Sequence, residues 1–473
     1  MFDIQKALYY ASPLWLKRLY ATIPYPVRLG RHFRRVRRLL DESESWSEEQ
    51  HRHYQTTQLQ SLLRTAFKRV PFYREWAKKE AATAEDFRSP EDVRRLPLIS
   101  KQLILENWEA FVRENRCRLF YSTDATGGTT GQQFRFLTDN AAYRKEQGFM
   151  SHMWERVGYW IMAPKATLRG RAIHNPKTAN CWTYTPIHNE LTLSVYELTE
   201  RTLPAYVTAC VEFGVQFLHG YPSAISILAK LLDSHPDQQA RFPKLIALLI
   251  TSEALLPGQR ELMERVFGCR LFSWYGMSEK VILAGECEKS SLYHVFPQYG
   301  ITELVDDEGR NIDEPGVEGE LVGTGFLNSV MPFIRYRTGD ASSWVAGACE
   351  HCSRQYPRLA SVRGRWSQKE GLVSRDGRFL TVTGVVGAMH GPEFSHVERF
   401  QLYQDTPGRV ELRILAGEGF GERDLRRIRN ALEAKLTDFE LEIKLVDNIP
   451  LTPRGKAVHL IQKLSLEDRG AVE

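Results

Sequence analysis

The sequence predicts an α/β protein with a large multi-sheet N-terminal domain and a small α+β C-terminal domain. Three observations carry that expectation. A chain of 473 residues, 42% hydrophobic and 26% charged, is long enough for a large core and at least two domains. In its middle, helical and strand patterns alternate, and the continuous apolar run "LIALLITSEALL" suits a strand covered on both faces that delivers a loop at its carboxyl end. After "VRGRWSQKEG" the character changes: a strand-like "RVELRILAG", an amphipathic helix from about Glu422 to Leu436 and a further strand in "LEIKLVD" make a compact unit.

From the N-terminus, residues 1–46 read as a basic aromatic arm. Tyr9, Tyr10, Trp15, Tyr20 and Tyr25 are interleaved with nine Lys/Arg, and in the first forty residues only Asp3 opposes them. Such a segment can lie on an anionic membrane surface with its rings at headgroup depth, or it can pack its rings on the main domain and leave its arginines in water. Residues 47–68 read as a helix, with Leu59, Leu62, Leu63, Ala66 and Phe67 at helical spacing before Pro71 stops the pattern. The large domain is expected over 47–364 and the small one over 365–473, with the boundary near Arg365.

Composition excludes some classes of function. A net charge of +5 is small for this length and gives no reason to expect a nucleic-acid partner. Seven cysteines, an odd number scattered without a signal-peptide pattern, fit a reducing cytoplasm. No run approaches the ~18 apolar residues of a spanning helix. The expected location is cytoplasmic, with peripheral contact at the inner membrane face through residues 1–40 left open.

The stretch "TGGTTG" places Thr126, Gly127, Gly128, Thr129, Thr130 and Gly131 together. Glycines let backbone N–H groups converge on an anion and the hydroxyls add donors, so the stretch can form a nest for a polyphosphate; alone, such a cluster is more often a surface turn. Four further segments follow in order: "TSEALLP" at 251–257, "SWYGMSE" at 273–279, "RYRTGD" at 335–340 and "LTPRGKAV" at 451–458.

Together these five segments resemble the ordered signature of the adenylate-forming superfamily of acyl-CoA synthetases, luciferases and peptide-synthetase adenylation domains. Within it the sequence is similar to the branch of phenylacetate-CoA ligases and capsular polysaccharide biosynthesis proteins, and "VPFYREW" looks like that branch too. The resemblance spans about residues 55–460. It implies a large adenylation domain with a mobile C-terminal lid and the active site between them. Residues 126–131 would hold the β and γ phosphates of ATP. Ser252, Glu253 and Ser278 fall within the nucleotide-binding motifs. Tyr275 with Gly276 would lie against adenine, and Glu279 is suited to Mg²⁺. Asp340 would accept hydrogen bonds from both ribose hydroxyls. Arg365 would approach the phosphate or ribose, and Lys456 would steady the attacking carboxylate and the α-phosphate while pyrophosphate departs. His219, Gly220 and Tyr221, in "LHGYPSA", match the segment that borders the acyl site.

The sequence departs from this pattern in places. Gln132 and Gln133 follow the phosphate loop where lysine or proline is frequent, and Ser367 and Gln368 stand where the hinge usually carries an acidic residue. The second departure bears on whether the small domain swings to a thiol-transfer conformation. Outside the resemblance, "CEHC" supplies Cys349 and Cys352, and "CEKSSLYH" supplies Cys287 and His294. The four make a tetrahedral set for structural Zn²⁺ if they meet, and ordinary free cysteines if they do not; His351 is the rival fourth ligand.

The expected function is MgATP-dependent activation of a small-molecule carboxylic acid to an acyl-adenylate, with acyl transfer to coenzyme A as first acceptor. An amine or hydroxyl compound of polysaccharide or natural-product biosynthesis is the alternative acceptor. A non-catalytic membrane-surface assembly protein is the alternative of another class; such a protein has no need of Glu279, Asp340 and Lys456 together.

Overall fold

Local signals in the sequence set the first elements. Ser47 Oγ accepts a hydrogen bond from the Gln50 backbone amide and Gln50 Oε1 accepts one from the Ser47 backbone amide, a capping box that starts the helix Glu48–Arg69. Leu59, Leu62, Leu63 and Ala66 on that helix are buried, as their spacing predicts, and Pro71 opens the following helix Pro71–Lys79. The computed structural model describes residues 12–125, 134–169, 181–195, 197–255, 258–364, 371–375, 379–381, 396–433, 436, 439–451 and 458–464.

The basic arm divides in two. Its second half, the helix Tyr25–Ser43, is kinked at Gly30, whose φ of 71° suits a residue without a side chain. Phe33, Val36 and Leu40 are buried there, against the helix Asn140–Glu155. The approach is close: a Cβ on Gly148 would stand 2.9 Å from Val36 Cγ1. Arg37 closes the contact with two hydrogen bonds to the Glu155 carboxylate, at 2.7 and 2.8 Å. This half therefore packs its apolar side chains on the body of the protein. On the helix Leu14–Ala21, by contrast, Trp15 and Leu19 remain 67% and 60% exposed.

The chain forms two compact units. The first comprises Met1–Ala163, Thr185–Glu190 and Phe272–Trp366. It holds an antiparallel sheet in the order Gly300–Val305, Glu318–Gly325, Tyr336–Ser343 and Arg363–Gly364. It also holds an antiparallel run of residues 272–276 of the strand Arg270–Gly276 with Leu283–Gly285, Tyr293–Val295 and Arg358–Leu359. An antiparallel pair, Tyr121–Ala125 with Arg135–Asp139, flanks the Gly/Thr stretch.

The second unit comprises Pro164–Tyr184, Leu191–Leu271 and Ser367–Glu473. Its strands Lys165–Leu168, Phe217–Gly220 and Ala247–Thr251 are neighbours and parallel. All their residues are buried, in keeping with the continuous apolar run read as a covered strand. The C-terminal stretch of this unit has a hydrophobic cluster of its own, including Leu402, Leu412, Ile414, Ile428 and Leu432. There the hairpin Val397–Thr406 and Arg409–Ala416 is followed by the helix Glu422–Glu433 and the strand Glu440–Leu445, which pairs parallel with Arg409–Ala416. Among the described residues no helix is long and apolar enough to cross a membrane.

Candidate active site

In the first unit, the stretch 273–279 runs off the end of the strand Arg270–Gly276 into a turn closed by the Lys280 amide on Met277 O, at 3.1 Å. Ser278 and Glu279 are the central residues of that turn. The Tyr275 hydroxyl donates to Asp340 Oδ2 at 2.7 Å. These residues lie 65 positions apart in the chain, so the structure joins two stretches that the sequence presents separately.

Asp340 reaches its place through a bulge. Arg337 pairs with Val322 and Ala341 with Glu320, so Thr338, Gly339 and Asp340 oppose the single residue Leu321. Gly339 takes a φ of 76° there. The bulge is pinned on both sides. Thr338 Oγ1 donates to Leu321 O at 2.8 Å and accepts the Asp340 amide at 3.0 Å, while Glu320 accepts the Gly339 amide at 2.9 Å and Arg337 Nε at 2.7 Å.

Glu279 is buried and accepts a hydrogen bond from the Tyr336 hydroxyl at 3.1 Å. Burial pushes its carboxyl up to about 7. Beside it, Lys280 pairs with Glu146 at 2.7 Å, and Glu146 also accepts from the Tyr299 hydroxyl at 3.2 Å. Burial, then the Asp340 carboxylate, holds the Tyr275 hydroxyl well above its ordinary value, so it stays a donor.

In the second unit, three neighbouring parallel strands end together, and each delivers polar groups at its carboxyl end, where α/β sheets place ligands. Arg169 follows the strand Lys165–Leu168, His219, Gly220 and Tyr221 end the next, and Ser252 with Glu253 follows Ala247–Thr251. Arg169 joins them. One guanidinium nitrogen lies 3.3 Å from His219 Nε2, another donates to Ser252 Oγ at 3.1 Å, and the group sits 5.6 Å from the Tyr221 ring centre. His219 Nδ1 lies 2.9 Å from Leu249 O, which orients the ring. Ser252 is held at a φ of 71°, a strained backbone for a residue with a side chain. Gly220 cannot be replaced without moving the sheet, because a Cβ there would stand 2.4 Å from Leu168 O. Glu253 accepts the Ser223 amide at 3.1 Å in the first turn of the helix Pro222–Ser234.

Thr126, Gly127, Gly128, Thr129, Thr130 and Gly131, with Arg365 and Lys456, lie outside the described residues. Sequence reasoning missed Arg169, Glu320 and Tyr336. Arg169 carried no local signal, since the buried strand before it reads Lys-Ala-Thr-Leu; Tyr336 stands inside the stretch 335–340. Cys287, His294, Cys349 and Cys352 come together in the first unit, with the ligand atoms of all four within 4.8 Å of one another.

A family model described as AMP-binding enzyme matches residues 177–332. The solved structure of a 2-hydroxyisobutyryl-CoA ligase in the postadenylation state shares the fold, with a TM-score of 0.69 and 17% identity over 91% of this chain and 92% of that one. CapK of Staphylococcus aureus is 22% identical over 392 residues, 82% of this chain and 84% of the relative. Phenylacetate-coenzyme A ligase of Thermus thermophilus is 24% identical over 348 residues, 68% of this chain and 72% of the relative. By these similarities the chain resembles adenylate-forming enzymes, and among them these two relatives.

Proposed function

We propose that the chain activates a carboxylic acid with MgATP and passes the acyl group to coenzyme A. The observation that carries this reading is the bulge-borne Asp340 held by the Tyr275 hydroxyl, a carboxylate whose acceptor oxygens suit the two hydroxyls of a ribose. Tyr275 and Gly276 would line the adenine, and residues 126–131 with Arg365 would hold phosphates. Glu279 fits Mg²⁺, because a buried carboxylate with a raised proton affinity is the kind of group a hard divalent cation compensates; such an ion, held there, would supply neutralising charge to the phosphates.

In the first step a carboxylate oxygen of the acid attacks the α-phosphorus. The bond to the bridging oxygen breaks, and pyrophosphate leaves with the electron pair while Lys456 steadies both oxyanions. In the second, the thiol sulfur attacks the acyl carbon, the bond to AMP breaks and the thiol proton passes to solvent. Arg169, His219 and Tyr221 are assigned to the acid, a cation and a polar ring for the carboxylate with an aromatic face beside them.

A second reading, in which an amine or hydroxyl compound accepts the acyl group, is favoured by the similarity to CapK over 82% of the chain and by Ser367 and Gln368 at the hinge. The experiment is a screen of carboxylic acids for pyrophosphate release with and without coenzyme A. Thioester formation supports the first acceptor, and adenylate formation that coenzyme A does not discharge supports the second. ATP binding without pyrophosphate release for any acid would overturn the activity. We also propose that the exposed Trp15, Leu19, Tyr20 and Val27, next to Arg18 and Arg31, let the arm rest on an anionic lipid surface.

A further inference from the structure

We propose that Cys287, His294, Cys349 and Cys352 hold a structural Zn²⁺ ion. The sheet itself collects them. Gly285 pairs with His294 and His294 with Arg358 on three adjacent strands, so Cys287, two residues beyond Gly285, and the 349–352 segment ahead of Arg358 are brought to His294. Cys287 Sγ lies 3.9 Å from Cys349 Sγ, and Cys352 Sγ lies 3.4 Å from His294 Nε2.

Those separations are the edges of a coordination tetrahedron. Zn–S bonds of about 2.3 Å and Zn–N bonds of about 2.0–2.1 Å give S···S edges of about 3.8 Å and S···N edges of about 3.5 Å. A disulfide is excluded by the same distance, since its sulfurs stand only about 2.05 Å apart. His351, inside the knuckle, is exposed and outside the cluster, so His294 completes the set.

The surroundings are those of a metal centre. The Ser290 amide points at Cys287 Sγ at 3.3 Å, and His294 Nδ1 lies 3.2 Å from Leu292 O, which leaves Nε2 free to face the cysteines. Three thiolates and an imidazole around Zn²⁺ carry one net negative charge. Arg156, bonded to the carbonyls of the two residues before Cys287, brings a positive charge to that side of the cluster. It is buried, 4.8 Å from the Phe296 ring centre and hydrogen-bonded to the carbonyls of Gly285 and Glu286, and among the described residues its Nε and Nη2 have no hydrogen-bond partner. Four protein ligands leave no open position for water, so the ion is structural.

Its place gives it a task. Ala284, on the strand that leads to Cys287, pairs with Tyr275, and Trp344, between Asp340 and Cys349, bridges to Leu359. One ion therefore fastens the strand beside Tyr275 to the segment that follows Asp340, joining cysteines 62 positions apart in the chain.

The test uses the full chain, purified without a metal-affinity tag, and elemental analysis. About one zinc per chain is expected, falling to near zero in Cys349→Ser and in His294→Gln with a lower unfolding midpoint, and unchanged in His351→Ala and Cys117→Ser. Should the ligand variants fail to fold, exchange of Co²⁺ into the intact protein gives a second readout, the intense visible bands of a tetrahedral thiolate site. A protein that holds no zinc even after zinc is supplied, yet keeps its thermal stability, would overturn the proposal. So would retention of the metal by Cys349→Ser, or a Cys287–Cys349 disulfide in peptide mass analysis.

Discussion

Replacing Tyr275 by phenylalanine removes one oxygen, the donor that meets Asp340 Oδ2 at 2.7 Å, and leaves the aromatic face intact. A hydrogen bond to a charged acceptor contributes about 1.5–3 kcal/mol, but Asp340 is only half-buried and water can take part of the place, so about 1–2 kcal/mol is the expected loss. If Asp340 holds the ribose, that loss appears as a KM for ATP raised about 5–30-fold in acid-dependent pyrophosphate exchange, with kcat nearly unchanged. Asp340→Ala removes the ribose acceptors themselves and should cost about 3 kcal/mol, roughly 100-fold in KM. The double variant decides the mechanism: if Tyr275 acts through Asp340, adding Tyr275→Phe to Asp340→Ala changes little further. Full additivity, or an unmoved KM in Tyr275→Phe with an unchanged unfolding midpoint, would refute the coupling.

Lys456→Ala should leave ATP binding largely intact while slowing pyrophosphate exchange by at least two orders of magnitude, since one preorganised charge at a transition state contributes about 3 kcal/mol or more; isotope exchange against equilibrium ATP binding checks both halves. Removing residues 1–24 should abolish sedimentation with anionic vesicles at low salt and spare adenylation, whereas an intact protein that never binds such vesicles would end the membrane proposal. His51 is buried against Trp46 and Tyr356, and burial lowers its pKa from 6.5 to about 4. Its neutral form therefore contributes stability that is complete above pH 6.5 and is lost as pH falls towards 4. Urea unfolding across that window should show a shallower acid slope in His51→Phe than in the natural chain, and equal slopes would discount the effect.

What the sequence disclosed and what it hid divide by distance along the chain. The helix Glu48–Arg69 was legible because its cap, its apolar spacing and the proline after it are all local. The strand Ala247–Thr251, with Ser252 and Glu253 at its end, was legible because a parallel strand covered on both faces reads as an unbroken apolar run. The strand Val397–Thr406 was not singled out. A register shift between Val397 and Arg399 breaks its alternation, and Gln401 and Gln404 are buried in it, bonded to backbone carbonyls. The pairings Tyr275 with Asp340, Tyr336 with Glu279 and Arg169 with Ser252 span 65, 57 and 83 positions, and no local pattern announces them. The cysteine and histidine cluster was the exception among distant contacts, because the Cys-x-x-Cys spacing of a metal site is itself local.

The stretch 335–340 illustrates why a short motif can be specific without each residue touching a ligand. Arg335, at a φ of 51° and buried, spreads its guanidinium over Glu303 at 3.0 and 3.2 Å, over the carbonyls of Arg94 and Leu96, and over Asn311. Removing either charge of that pair would strand the other inside the protein, a large loss in any structure. Tyr336 is fixed beside it and donates to Glu279, Arg337 is fixed by Glu320, and Thr338 and Gly339 form the bulge. Five residues are thus bonded to the backbone and to neighbouring carboxylates around Asp340, whose Oδ2 accepts from the Tyr275 hydroxyl. A lysine at 335 keeps the charge but loses the fork that reaches four partners, so Arg335→Lys should weaken ATP binding through misplacement of Asp340 and lower the unfolding midpoint together. A variant that lost stability while its KM for ATP stayed fixed would show that the network supports the fold without aiming the carboxylate.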